Sequence, residues 1–325
     1  MKKRFLIGQV LLACALSEAA VAASSTRNYP EKPITLLVGF AAGGSVDNAA
    51  RIVAQRLQTI GWSVIVENRT GASGMIAMRD LAKSRPDGYT LMMGSVSNLA
   101  MVPPAMKDPQ VDPAKDLAAV SLIGSAPLVL LVRADSPVKS LDDFKEALKK
   151  PGATRSYASG GIATPPHLAM ELLASKLEVK LDHVPYRGEA PAIVDLLGGH
   201  VPAMFANMTT GVPYVKSGKL RAIGVSGSAR SPVMEDVPTL AEGGVAGFNV
   251  ENWFGIVAPR ATPPEVLDII HGAVSKALAD PTSREQLSAQ GLNVQDISRK
   301  EFDRFLAAEN EQWTAVVKKV GIRLE

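Results

Sequence analysis

Alternating strand-like and helix-like segments predict an α/β fold with mainly parallel sheets. Three observations carry that expectation. Short apolar runs such as residues 34–38 and 90–94 read as buried strands. Segments with helical spacing follow them, as Ala49, Ala50, Val53 and Leu57 follow the first run. Glycine-rich turns, Gly43-Gly44 and Gly160-Gly161, sit at strand-to-helix joins in both halves. No tandem repeat or low-complexity linker interrupts the pattern, and about 300 mature residues suffice for two domains.

The N-terminus comes first. Lys2, Lys3 and Arg4 form a charged n-region, residues 5–16 are apolar, and Ala20-Val21-Ala22 supplies small residues for cleavage. Residues 1–22 therefore read as a secretory signal peptide, so the mature chain is expected in the bacterial periplasm. Cys14 is the only cysteine, which excludes an internal disulfide. Leu11-Leu12-Ala13-Cys14 also resembles a lipobox, but the apolar run continues through Leu16 and a better cleavage site follows. Lipid anchoring at Cys14 is thus the lesser alternative. Loss of Lys2, Lys3, Arg4 and Glu18 takes the formal charge from +3 to +1. No basic run persists, which leaves no electrostatic footprint for nucleic acid.

After the strand at 34–38, the turn Phe40-Ala41-Ala42-Gly43-Gly44-Ser45-Val46-Asp47 leads into a helix. Ser45 is expected as its N-cap, and Asp47 complements the dipole in its first turn. A strand over 62–67, a helix over 74–83, and strands over 90–94, 117–123 and 128–132 come next. Ser140 with Asp143 predicts a capping box ahead of Phe144. A strand over 156–158 leads to a helix over 165–175, with Pro165 and Pro166 in its first turn. Strand 180–184, helix 190–197 and strands 201–205, 220–225 and 250–257 continue the alternation. Helices over 264–279, 283–290 and 298–320 close the chain. Residues 125–127 and 243–248 are where it is expected to pass between two lobes. Facing lobes would line a cleft with βα turns, because open α/β sheets bind ligands beyond the carboxyl ends of their strands.

The first glycine turn points free backbone N–H groups at one spot, as an anion requires. Glycine without a Cβ lets a ligand approach closely. An ordinary flexible βα turn is the competing reading. The second turn, Ser159-Gly160-Gly161-Ile162-Ala163-Thr164, again joins strand to helix, with Thr164 in N-cap position. Ser95 and Ser97 offer a third polar strand end, which also suits a solvated loop. His167 reads as a capping or packing group rather than a base, for no partner motif accompanies it. No metal-ligand spacing, Gly-x-Ser-x-Gly elbow, dinucleotide fingerprint or phosphate loop occurs. The chain shows binding equipment without catalytic equipment, and neither cofactor nor metal is expected.

Several ordered stretches then carry a family likeness. They include Tyr29-Pro30-Glu31-Lys32-Pro33-Ile34, Val66-Glu67-Asn68-Arg69-Thr70-Gly71-Ala72 and Pro86-Asp87-Gly88-Tyr89-Thr90-Leu91. Val184-Pro185-Tyr186-Arg187-Gly188, Asp195-Leu196-Leu197-Gly198-Gly199-His200-Val201 and Trp253-Phe254-Gly255 continue the series. Across the mature chain, the sequence resembles the solute-binding proteins of tripartite tricarboxylate transporters, the Bug receptors.

The resemblance implies a type II-like periplasmic binding protein that closes on a small carboxylate and delivers it to membrane permease subunits. It implies a signal peptide at 1–22, a first lobe of 23–126 plus 248–325, a second lobe of 127–247, and a monomer. Carried over by position, the ligand contacts are Ala42, Gly43, Gly44, Ser45, Asp47, Ser95 and Ser97 in the first lobe. Ser159, Gly160, Gly161, Thr164, Tyr186 and Asn207 are those of the second. Asp47 is expected to fix its turn rather than touch an anion. A sensor receptor that feeds a signalling partner is the runner-up. A hydrolase using Ser159 or Ser45 lacks a base and an orienter. Ala206 stands where many relatives have Asp, and Ile162 and Pro165 replace small or polar positions. Those departures predict a carboxylate without an ammonium, carrying an apolar or aromatic body.

Overall fold

The computed structural model describes residues 28–324, apart from 153 and 187. The signal-peptide segment and Cys14 lie outside the described residues. The order begins β1 (Ile34–Val38), α1 (Ser45–Thr59), β2 (Val64–Asn68), α2 (Met75–Lys83), β3 (Thr90–Ser95) and β4 (Leu117–Arg133). It continues α3 (Leu141–Lys149), β5 (Ser156–Ser159), α4 (Pro165–Lys176), β6 (Asp182–Pro185), α5 (Glu189–Gly198) and β7 (Ala203–Asn207). It ends α6 (Met208–Lys216), β8 (Leu220–Val225), β9 (Glu251–Pro259), α7 (Pro264–Ala279), α8 (Pro281–Ala289), β10 (Asn293–Val294) and α9 (Arg299–Val320).

The strands join in the order β2-β1-β3-β9-β4-β7-β5-β6, with β8 and β10 also paired to β4. Strands β2, β1 and β3 are mutually parallel, and so are β7, β5 and β6. Between these flanks β9 and β4 run antiparallel. Strand β4 belongs to both lobes: residues 117–127 pair with β9, and residues 128–133 pair with β7 and β8. Two strands expected at 117–123 and 128–132 are therefore one. Pro127 sits at the handover, where a missing N–H is tolerated. Ser226 ties the same point: its Oγ accepts the Leu128 N–H at 2.7 Å and donates to the Val250 carbonyl at 2.5 Å.

Successive strand residues feed opposite cores, as period-two geometry requires. Leu36, Val38 and Met93 pack with Val53 of α1 and Ile270 of α7. Leu37 and Met92 face the other core with Met78, Trp253, Phe302 and Trp313. Both faces are covered, which explains why these strands read as continuous apolar runs. Helix α9 starts with a full capping box between Ser298 and Glu301. Its Glu309 accepts the Trp253 and Trp313 indole N–H groups at 2.6 and 3.1 Å, anchoring the helix to β9.

Two local expectations change, and one helix was not expected. Gly44, not Ser45, is the N-cap of α1, and Ser45 is the first helical residue. Ser140 caps α3 by accepting the Asp143 N–H, but Asp143 returns its bond to Lys139 N–H. Helix α6 was not legible, because it contains Gly211 and Pro213.

Candidate functional site

A cavity of about 340 Å³ opens where turns of the two lobes face each other. Phe40, Ala41, Gly44, Ser45 and Val46 approach from the β1–α1 turn, and Ser95 and Ser97 from the end of β3. Gly160, Thr164, Pro165 and Pro166 face them from the β5–α4 turn. Gly188, Glu189 and Ala190 begin α5, Asn207 and Thr210 begin α6, and Asn252 projects from β9. A larger groove of about 550 Å³, with Arg260, His271 and Arg299, lies within the first lobe away from both glycine turns.

Seven of the residues expected from sequence line this cavity: Gly44, Ser45, Ser95, Ser97, Gly160, Thr164 and Asn207. Ala42, Gly43, Asp47, Ser159, Gly161 and Tyr186 are not on its wall. Several of these hold the turns in shape. Asp47 is 1% exposed, and its carboxylate accepts the Gly43 N–H at 2.8 Å, both forks of Arg51, and Asn68 Nδ2 at 2.8 Å. Burial raises its pKa, but the Arg51, Gly43 and Asn68 hydrogen bonds outweigh that and hold it below the usual range. Tyr186 donates to Asp195 at 2.5 Å, and burial together with Asp195 pushes its phenol up to about 12.

The second turn is braced by imidazoles. Ser159 is fully buried, and its Oγ lies 2.6 Å from His183 Nε2 and donates to the Gly161 carbonyl at 2.9 Å. The Gly161 N–H in turn donates to Ser159 Oγ at 3.2 Å. The Ser159 hydroxyl is thus engaged within the turn, between His183 and the Gly161 backbone. His167 stacks on His183 at 3.8 Å between centroids, and its Nδ1 accepts the Ala163 N–H at 2.9 Å. It acts as the capping group the sequence suggested. Burial, with neighbouring His183, takes the His167 pKa down to about 3, and burial takes His183 to about 4. Both are neutral at physiological pH. Thr164 holds the N-cap position of α4, but its hydroxyl donates to the Gly161 carbonyl at 2.7 Å instead of capping.

Sequence reasoning missed Glu189, Thr210 and Asn252. The signal for Glu189 was available, since it opens a helix directly after Gly188, as Ser45 does after Gly44. Two ligand-class arguments also change. Ala206 is fully buried on β7 opposite Val129 and does not line the cavity, so its comparison with Asp says nothing about the ligand. Ile162 is 43% exposed and likewise off the wall, whereas Pro165, the other apolar departure, lines it together with Pro166. Among the described residues, no group of three His, Cys, Asp or Glu could hold a metal ion. No helix among them is long and apolar enough to cross a membrane.

Known proteins share the sequence pattern and the fold. Protein BugT of Bordetella pertussis is 35% identical over 313 residues, covering 95% of this chain and 96% of its own. The structure of periplasmic binding protein BugD superposes with a TM-score of 0.81 at 33% identity, covering 91% of this chain and all of that one. An R. palustris protein solved with adipate gives a TM-score of 0.84 at 32% identity, covering 91% of this chain and 99% of that one. The fold is thus the two-lobed α/β fold of periplasmic binding proteins. Residues 49–322 match the tripartite tricarboxylate transporter family receptor, and the chain belongs to that family of solute-binding receptors.

Proposed function

We propose that this protein is an exported receptor that closes two lobes on a small carboxylate and hands it to a tripartite tricarboxylate-type permease. The observation that carries this reading is the convergence of hydroxyls and glycine turns from both lobes on one cavity of about 340 Å³. Such donors hold an anion without a fixed cation. The size suits a small organic acid. The related protein solved with adipate supports the ligand class. The leader-like residues 1–22 support export. In this reading Gly44, Ser45, Ser95 and Ser97 contact the ligand from the first lobe. Gly160, Thr164 and Asn207 contact it from the second. Ala42, Gly43, Asp47, Ser159, Gly161 and Tyr186 shape the turns behind them. The receptor acts as a monomer, with residues 23–126 plus 248–325 moving against residues 127–247.

Closure follows from the strand handover at Leu128 and Val250, where few residues need to change dihedral angle. Calorimetry against adipate, succinate, citrate, nicotinate and benzoate is expected to show one-to-one binding by at least one acid. Small-angle scattering at saturation is expected to show a smaller radius of gyration. Saturation without compaction would count against this hinge. Stoichiometric binding of uncharged solutes alone would sink the carboxylate reading.

Gly44→Val tests the first turn. Gly44 has φ −75° and ψ 167°, which any residue adopts, and an added Cβ meets only the Ala41 carbonyl at 3.2 Å. The fold should survive while the added methyls occupy ligand space. Affinity for the best acid is expected to fall at least tenfold, about 1.4 kcal/mol. Unchanged affinity would remove this turn from the contact surface.

A further inference from the structure

Four helices begin at the wall of the inter-lobe cavity, and one of them begins differently. Ser45 and Val46 open α1, Glu189 and Ala190 open α5, Thr210 lies in the first turn of α6, and Pro165 and Pro166 open α4. The first N–H groups of a helix have no partner within it, and none of the four N-cap side chains satisfies them here. Helices α1, α5 and α6 therefore start with backbone donors, whereas proline has no N–H to offer. The first two positions of α4 are blank. The turn ahead of them is occupied with itself. Gly161 N–H donates to Ser159 Oγ at 3.2 Å, and Ala163 N–H donates to His167 Nδ1 at 2.9 Å. The Thr164 and Ser159 hydroxyls both donate to the Gly161 carbonyl, at 2.7 and 2.9 Å.

What α4 presents instead is carbon. Pro165 and Pro166 form part of the cavity wall, and Phe40 of the β1–α1 turn lines it too. A carboxylate or hydroxyl laid against such a face leaves water without a replacement hydrogen bond. A methylene laid there leaves water favourably. The start of α1 is the complement. Ser45 and Val46 bring backbone N–H groups, the Ser45 hydroxyl and the positive end of the helix dipole to the wall, where an anion is best held. We propose that Pro165 and Pro166 select an acid with an unsubstituted apolar body, its carboxylate at the start of α1 and its carbon chain along the two pyrrolidine rings. Short acids leave the rings uncovered. Hydroxylated acids bring to them a group that those rings cannot hydrogen-bond. This rests on the carboxylate-receptor reading of the same cavity.

The test uses acids that differ only in body. Adipate has two more methylenes than succinate, hexanoate has two more than butyrate, and malate adds a hydroxyl to succinate. Calorimetry on the mature protein should show the longer member of at least one pair binding at least tenfold tighter than the shorter, as two buried methylenes allow. Malate should bind no tighter than succinate. The double variant Pro165→Ala with Pro166→Ala restores both N–H groups and removes ring carbon, at positions that suit alanine as a helix former. There the longer acid's advantage should shrink at least threefold and malate should gain on succinate. A general loosening of the site would lower affinities without those shifts in ratio. If circular dichroism shows the double variant unfolded, Pro166→Ala alone carries the same comparison. An advantage below tenfold in both pairs would overturn the proposal and leave the carboxylate receptor standing. So would malate binding tighter than succinate, or an advantage that shrinks less than threefold in the folded variant. Binding by none of the five acids would also overturn the proposal, and the carboxylate reading falls with it only if citrate, nicotinate and benzoate fail as well.

Discussion

Gly160→Val is expected to lower affinity for the best-binding acid about a hundredfold, close to 2.8 kcal/mol, while leaving a folded protein. A Cβ at Gly160 would sit 3.0 Å from the Glu189 backbone nitrogen, 3.1 Å from Glu189 Cγ and 3.1 Å from the Gly188 carbonyl carbon. Two of those neighbours are backbone, so they cannot swing aside as a flexible side chain would. The two turns are also tied to each other: Tyr186 N–H donates to the Ser159 carbonyl at 2.9 Å, and Gly188 N–H to the Gly160 carbonyl at 3.0 Å. The added methyls must therefore push the start of α5 outward. Glu189 moves with it, and Asn207, held by Glu189 through two bonds, follows. Overpacking of this kind costs about 1–3 kcal/mol. Each charge-assisted bond lost to the ligand adds about 1.5–3 kcal/mol. Gly160→Ala should show a smaller loss in the same direction. Calorimetry with the wild type's best acid, alongside thermal unfolding, checks the result. Full affinity in Gly160→Val would mean that the second turn does not set the ligand's position.

The comparison with Gly44 shows what the sequence disclosed and where it stopped. Both glycines were legible as strand-to-helix turns, because apolar runs precede them and helical spacing follows. Their different surroundings were not legible. A Cβ on Gly44 would meet only the Ala41 carbonyl of its own turn, whereas Gly160 abuts a turn about thirty residues onward in the chain. Helix α7 and strand β8 fall where periodicity predicts, since each has a uniform pattern and clear turn residues at its ends. Strand β4 was split at Ala126-Pro127 because proline reads locally as a break, whereas its real role is to hand one strand from lobe to lobe. Helix α6 was missed for a related reason. Gly211 is a poor helix former, yet a Cβ there would meet Val129 Cγ1 at 2.7 Å, so its smallness lets the helix lie flush on β4. Asn252 could not be read at all. Its amide is oriented by Asn207 and Glu189, which lie on separate elements 45 and 63 positions earlier. Hydrogen-bond direction within such a relay is a tertiary property.

Asp47→Ala is expected to destabilise the protein by about 2 kcal/mol, in the range for hydrogen bonds to a charged group, and to weaken ligand binding at least tenfold. The Asp47 carboxylate is buried and gathers Gly43 N–H, Arg51 and Asn68, so one side chain fixes the turn, the helix start and the end of β2. Arg51 is half exposed and can regain water when the carboxylate is lost, which keeps the penalty below that of stranding a buried cation. The turn itself has no such recourse. Gly43 is at φ +79° and depends on the Asp47 bond to hold its N–H inward, so Ala41 and Gly44 lose their fixed place at the cavity. The pH dependence follows from the carboxylate's lowered pKa. A depressed folded-state pKa contributes stability that is complete above the ordinary aspartate value of about 3.9 and disappears as pH falls through the folded value. The gap between wild type and Asp47→Ala in urea unfolding should therefore be full at neutral pH and narrow steadily below about pH 4. Asp47→Asn keeps the shape and part of the hydrogen bonding without the charge, so its gap should be smaller. A gap that stays constant down to about pH 2 would show that the side chain's volume, rather than its ionised hydrogen bonds, holds this turn.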